Sequence, residues 1–138
     1  MAKYSPMNMN AVFTYVKKAI IAQFPKTRVV SSREANSPEF PCVQIYLINK
    51  YRNTNSMTLA WDDEQYTVTY EVQIFSNKKT SPIKECDALV SVIESAFNEL
   101  HYRLSFLQQI DNIDPSVMRF VARFEGIAVG GESITITS

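Results

Sequence analysis

The 138-residue chain is sparing with the residues from which most catalytic and metal sites are built: it has one histidine, two cysteines and three glycines. With His101 as the sole imidazole, any Ser-His-Asp or Cys-His arrangement would have to run through one residue at the end of a predicted helix. One His and two distant Cys also lack the spacing of a zinc site. Gly126, Gly130 and Gly131 precede no helix, and neither GxxxxGK nor GxGxxG occurs, so no phosphate-cradling loop is expected. Basic and acidic residues number 14 each, so total charge gives no attraction for nucleic acid or an anionic membrane. No apolar run is long enough to span a bilayer, and residues 1–10 lack the apolar stretch of a signal peptide. The expectation is a non-enzymatic protein with no cofactor and no metal, folded in the cytoplasm.

What is present is material for a core. The apolar fraction is 46%, with eight Phe and seven Tyr, well above the range of disordered chains. The length suits one domain, residues 1–138, with the end from Gly130 to Ser138 as an edge strand or a tail that orders on binding. Cys42 falls in a strand-like run and Cys86 on a helical apolar face. Both read as small buried hydrophobes, not as a disulfide.

Periodicity sets out the elements. From Asn8 or Asn10 to about Phe24, Met9, Val12, Phe13, Val16, Ala19 and Ile20 recur at helical spacing, and Pro25 stops the helix. A short strand follows at Thr27–Ser31, a loop at Ser32–Pro41, and a strand at Cys42–Ile48. Asn49–Thr58 is polar and aperiodic, and reads as a long exposed loop or hairpin tip. In Gln65–Phe75, Tyr66, Val68, Tyr70, Val72 and Ile74 alternate strictly with Thr67, Thr69, Glu71 and Gln73, giving one covered and one wetter face. Ser81 then caps a second helix with Pro82 at its first position. Its stripe is Ile83, Cys86, Leu89, Val90, Ile93, Phe97 and Leu100, and it runs to about His101, whose positive charge would complement the helix dipole. Strands at Leu104–Ile110 and Val117–Val129 close the pattern. Helix, strands, helix, strands predicts an α+β two-layer sandwich: a mostly antiparallel sheet with two amphipathic helices packed on one face.

The remaining polar features have ordinary readings. Asp62, Asp63 and Glu64, and likewise Asp111 and Asp114, read as solvated turns before cation sites. Lys78 and Lys79 sit at a loop tip, with too few basic and aromatic neighbours for a nucleic-acid surface. Arg119 and Arg123 share a strand face with Val121 and Glu125. That mixture fits a solvent face with a cross-strand ion pair, or a protein–protein contact in which arginine is enriched.

Four segments in order carry a resemblance: FPCVQIYLI (Phe40–Ile48), YTVTYEVQIFSNK (Tyr66–Lys78), KECDALVSVIESAFNEL (Lys84–Leu100) and DPSVMRFVARFEGIA (Asp114–Ala128), all after the helix ending at Phe24-Pro25. Through this order, over roughly residues 10–129, the chain resembles the tail terminator, or tail completion, proteins of long-tailed bacteriophages, which include minor capsid and neck proteins. It departs from them in lacking a glycine at the turn after the second helix, between His101 and Phe106.

The resemblance implies a homo-oligomeric ring, usually a hexamer, in the virion tail or neck. The ring caps the tail tube protein and meets the head–tail connector, without catalysis, membrane contact or direct nucleic-acid binding. A head–tail adaptor or tail-tube subunit shares this layout, and a small ligand-binding module is the remaining alternative. The expected interface residues are Arg119, Arg123 and Glu125 on the last long strand, Lys50, Tyr51, Arg52 and Asn53 in a loop facing the tube or connector, and Trp61 as an aromatic anchor. On this reading Arg123→Glu weakens the ring and leaves the monomer folded.

Overall fold

The computed structural model describes residues 2–4, 9–31, 39–52, 65–112, 114–129 and 134–136. In chain order the elements are β1 (Ala2–Tyr4), α1 (Met9–Gln23), β2 (Arg28–Val30), β3 (Cys42–Arg52), β4 (Gln65–Ser76), α2 (Pro82–Glu99), β5 (Arg103–Ile110), β6 (Met118–Val129) and β7 (Ile134–Ile136). The main sheet has the order β2-β3-β4-β6-β5 and is antiparallel except for the β2–β3 pair. Both helices pack on one face, which makes the fold an α+β two-layer sandwich. β1 and β7 form a separate two-stranded antiparallel ribbon.

The alternation along β4 places the core. Val68, Tyr70, Val72 and Ile74 meet Val43 and Ile45 of β3 and Ala122 and Phe124 of β6, under Val12, Val16 and Ile20 of α1 and Leu89, Ile93 and Phe97 of α2. At its centre the Phe97 and Phe124 rings stack with centroids 4.4 Å apart and planes at 8°. Tyr102 stands edge-on to both Phe97 and Tyr70, at 5.8 and 5.5 Å. Such pairs add about 0.5–1.5 kcal/mol each beyond the area they bury. Gly126 of β6 makes room for this cluster, because a Cβ there would lie 2.7 Å from Cδ1 of Tyr102 and 2.9 Å from the His101 carbonyl. Cys42 and Cys86 are both buried and free, as expected.

Three local expectations need correction. Ser81 stands at the N-cap position of α2 but has φ of 56°, and its hydroxyl makes no capping bond. Pro82 does take the first helical turn, and the Ser76 hydroxyl instead donates to the Glu85 carboxylate at 2.6 Å, tying the end of β4 to that turn. Ile83 is exposed, so the buried stripe of α2 starts one turn later, at Cys86. Residues 49–52, expected in a loop or hairpin tip, continue β3. After a register shift between Leu47 and Asn49 they pair from Asn49↔Thr69 to Arg52↔Tyr66, because the 12-residue β4 extends far enough to supply their hydrogen-bonding partners.

The missing glycine after α2 has a direct explanation. The helix ends at Glu99, and the His101 amide donates to the Asn98 carbonyl at 3.0 Å while that of Tyr102 donates to the Phe97 carbonyl at 2.9 Å. These paired bonds define a Schellman motif, whose left-handed position usually holds glycine. His101 occupies it with φ of 68°. A left-handed L-residue costs about 1–2 kcal/mol, partly offset by glycine's greater freedom in the unfolded chain. His101→Gly is therefore expected to raise stability by up to about 1 kcal/mol in urea unfolding, and His101→Ala to give no gain. Equal effects of the two variants would contradict the backbone account.

Burial also marks two phenols. Tyr70 is pushed up to about 12 by burial, and Tyr102 is raised by burial and then by the nearby Tyr70. Both folded values lie above the unfolded one near about 10, so their contribution to stability is complete below that pH. It is lost as pH climbs from there towards and beyond 12. A spectrophotometric phenolate titration should show two tyrosines ionising late, together with loss of the fold. Uniform titration of all the tyrosines near pH ~10, with the fold intact, would contradict this.

Candidate functional site on the helix-free face of the sheet

The face of the main sheet away from the helices carries Cys42, Gln44 and Tyr46 of β3, the odd-numbered residues of β4 and β6 from Thr67 and from Arg119, and Phe106 and Gln108 of β5. Register aligns Tyr46, Glu71, Arg123 and Phe106 in one row across four strands, and Gln73, Val121 and Gln108 in the next. This face of β4 is the wetter of the two, as expected, but only slightly. Thr67, Thr69 and Glu71 are still buried, Glu71 to 7% exposure, because β4 is the middle strand and long side chains from β3 and β6 close over it.

A buried carboxylate requires partners, and Glu71 has them. The Tyr46 hydroxyl donates to its Oε2, and Arg123 Nε donates to its Oε1 at 3.1 Å. Gln73 Nε2 donates to the Tyr46 hydroxyl at 2.5 Å, and Arg119 Nε donates to Gln73 Oε1 at 2.9 Å. The result is one chain, Arg119–Gln73–Tyr46–Glu71–Arg123, with a guanidinium at each end. Both guanidinium carbons lie over rings, that of Arg123 at 5.1 Å from the Phe106 centroid and that of Arg119 at 6.0 Å from Phe75. Arginines held by hydrogen bonds and stacked on aromatic rings lose little further entropy when a partner docks. The Arg123 side chain remains 46% exposed, so part of it is free to meet a partner. At one end of the same face Tyr51 and Ile127, 50% and 61% exposed, flank Thr67 in register.

Of the expected interface residues, Arg119, Arg123 and Glu125 lie on this face, and Glu125 is aligned with Thr69 and Arg103. The cross-strand ion pair anticipated for this strand is present as Arg123–Glu71. It alters the expectation for Arg123→Glu, since a second carboxylate beside Glu71 disturbs the fold as well as any contact. Tyr51 is on the face, whereas Lys50 points to the opposite side, its ammonium 5.3 Å from the Tyr66 ring. Arg52 ends β3 opposite Tyr66, and neither it nor Lys50 is in a loop. Asn53, Trp61 and the Asp62–Glu64 cluster lie outside the described residues. Glu71, Tyr46, Gln73 and Phe106 were missed. Glu71 and Gln73 were legible as polar members of an alternating strand, but their partners depend on strand order.

The remaining polar features are local. Asp114 accepts from the hydroxyl and amide of Ser116 at 2.7 and 3.0 Å, which holds its carboxyl below the usual range and makes it a turn residue. His101 borders open clefts that also include Glu94, Asn98, Arg103, Ser105 and Glu125. Among the described residues no group of three His, Cys, Asp or Glu is placed to hold a metal ion. No protein-family model matches the chain, and no curated protein matches it.

Proposed function

We propose that this chain is a virion structural and assembly protein, which forms a homo-oligomeric ring that caps a phage tail tube and joins the tail to the head connector. The observation that carries the proposal is the Arg119–Gln73–Tyr46–Glu71–Arg123 network on the sheet face opposite the two helices. A fixed surface combining arginine with aromatic rings has the composition of an interface centre. A small-molecule site is concave and mostly apolar. The order of segments supplies the class of partner. The chain's task on this reading is to hold copies of itself and its neighbours in register, with no reaction and no cofactor. A tail-tube subunit would use the same face but add to itself without limit.

Co-sedimentation with purified tail tubes separates these readings. Capping predicts binding that saturates at one ring per tube, whatever the tube length. Binding in proportion to tube length, or none, contradicts it.

A further inference from the structure

We propose that the open edge of β5 is a seam between copies of this chain, filled by the β1–β7 ribbon of a second copy. The inference rests on the ring reading above. β5 ends the main sheet and, among the described residues, bonds only to β6, so one side of an eight-residue strand has no described strand beside it. Monomeric proteins blunt such edges with proline, charge, short strands, bulges or a covering element. The sequence RLSFLQQI has no proline and one charge, at its first position, and five of its eight residues are exposed. The irregularity in its register lies between Leu104 and Phe106, where the Ser105 hydroxyl donates to the Arg123 carbonyl at 3.2 Å. Phe106–Ile110 is therefore a regular run with no charge to repel a second chain.

What satisfies a strand edge is another extended backbone, and the chain carries one with no place in the main sheet. β1 and β7 pair over three residues each and form a sheet of their own. A two-stranded sheet is marginal in water, and a third strand stabilises it. Adding the ribbon to β5 supplies that strand and closes the edge together. Within one chain the ribbon does not pair with β5, although β7 follows β6, the neighbour of β5, after only residues 130–133. The edge and the ribbon are different patches, so the contact is heterologous, the kind that closes into rings.

Cysteine introduced as Gln108→Cys in one preparation and Thr135→Cys in another tests this directly, since Cys42 and Cys86 are fully buried and leave little background. After mixing, a short bis-maleimide should join the two preparations within the ring fraction. Leu107→Lys, at a residue already 41% exposed, should leave the monomer folded and weaken self-association by at least about tenfold through a blunted edge. Rings that form without the cross-link, and equally well with Leu107→Lys, would overturn the seam and leave the ring reading standing. Cross-linking within one chain of the double variant at high dilution would also overturn it, by showing that the ribbon docks on its own sheet. A chain that neither oligomerises nor cross-links, with or without tail tubes, would overturn both.

Discussion

Truncating Phe97 to alanine is expected to lower stability by about 3–5 kcal/mol, the usual cost of removing a fully buried aromatic ring. The side chain has no exposed surface and stacks on Phe124 at 4.4 Å. It also contacts the rings of Tyr70 and Tyr102, each with centroids 5.8 Å away. The cavity would open where α2 meets β4 and β6, and the edge-on Tyr102 ring cannot fill it without leaving the turn that follows α2. Since a domain of this size is stable by about 5–15 kcal/mol, the loss is a large share of the total. Urea unfolding should show a lower midpoint with an unchanged slope. A loss below about 1 kcal/mol would mean that the cluster does not organise the core.

Arg123→Glu is expected to have the second-largest effect, and to act on the fold as well as on assembly. Breaking a buried ion pair typically costs about 3–5 kcal/mol, because the remaining charge is left uncompensated. Here the Glu71 side chain is 10% exposed but that of Arg123 is 46% exposed, so water screens one partner. Discounted for that screening, the loss should be about 2–3 kcal/mol, or on the order of 10 °C in Tm. The reversed pair Arg123→Glu with Glu71→Arg should recover part of it, and Glu71→Gln, which keeps an acceptor for Tyr46, should cost less. Thermal unfolding of the wild type, Arg123→Glu, Glu71→Arg and the reversed pair forms a double-mutant cycle. Additive losses would show that the pair does not couple, and the face would then have no fixed network to offer a partner.

Much of the fold was legible because two periods were clean. The strict alternation of residues 65–75 fixed both the strand and its core face, and the stripe from Cys86 to Leu100 fixed the second helix. The ends of elements were less so. Ile83 continues the helical period yet lies beyond what the sheet covers, and Ser81 has a capping residue type in a backbone conformation that cannot use it. Asn49–Arg52 look like a loop because this end of the strand is open to solvent, with Asn49, Lys50 and Tyr51 exposed, so polar side chains carry no penalty there.

The site was half legible. Arg119, Arg123 and Glu125 stood out as charges on a patterned strand. Their partners lie 46 and 52 residues away along the chain, and only the β3-β4-β6-β5 order brings Tyr46, Glu71 and Phe106 beside them. A strand near the end of the chain was among the expectations and is found as β7, whereas the three-residue β1 leaves no period in the sequence, so their pairing emerges only from the structure.

The ring proposed for copies of this chain on a tail tube is best tested by negative-stain imaging of the purified protein, alone and mixed with tail tubes. Closed rings, or added density at one end of each tube, are expected. Long tubes built from this protein alone, or a monomer that leaves the tubes bare, would contradict it.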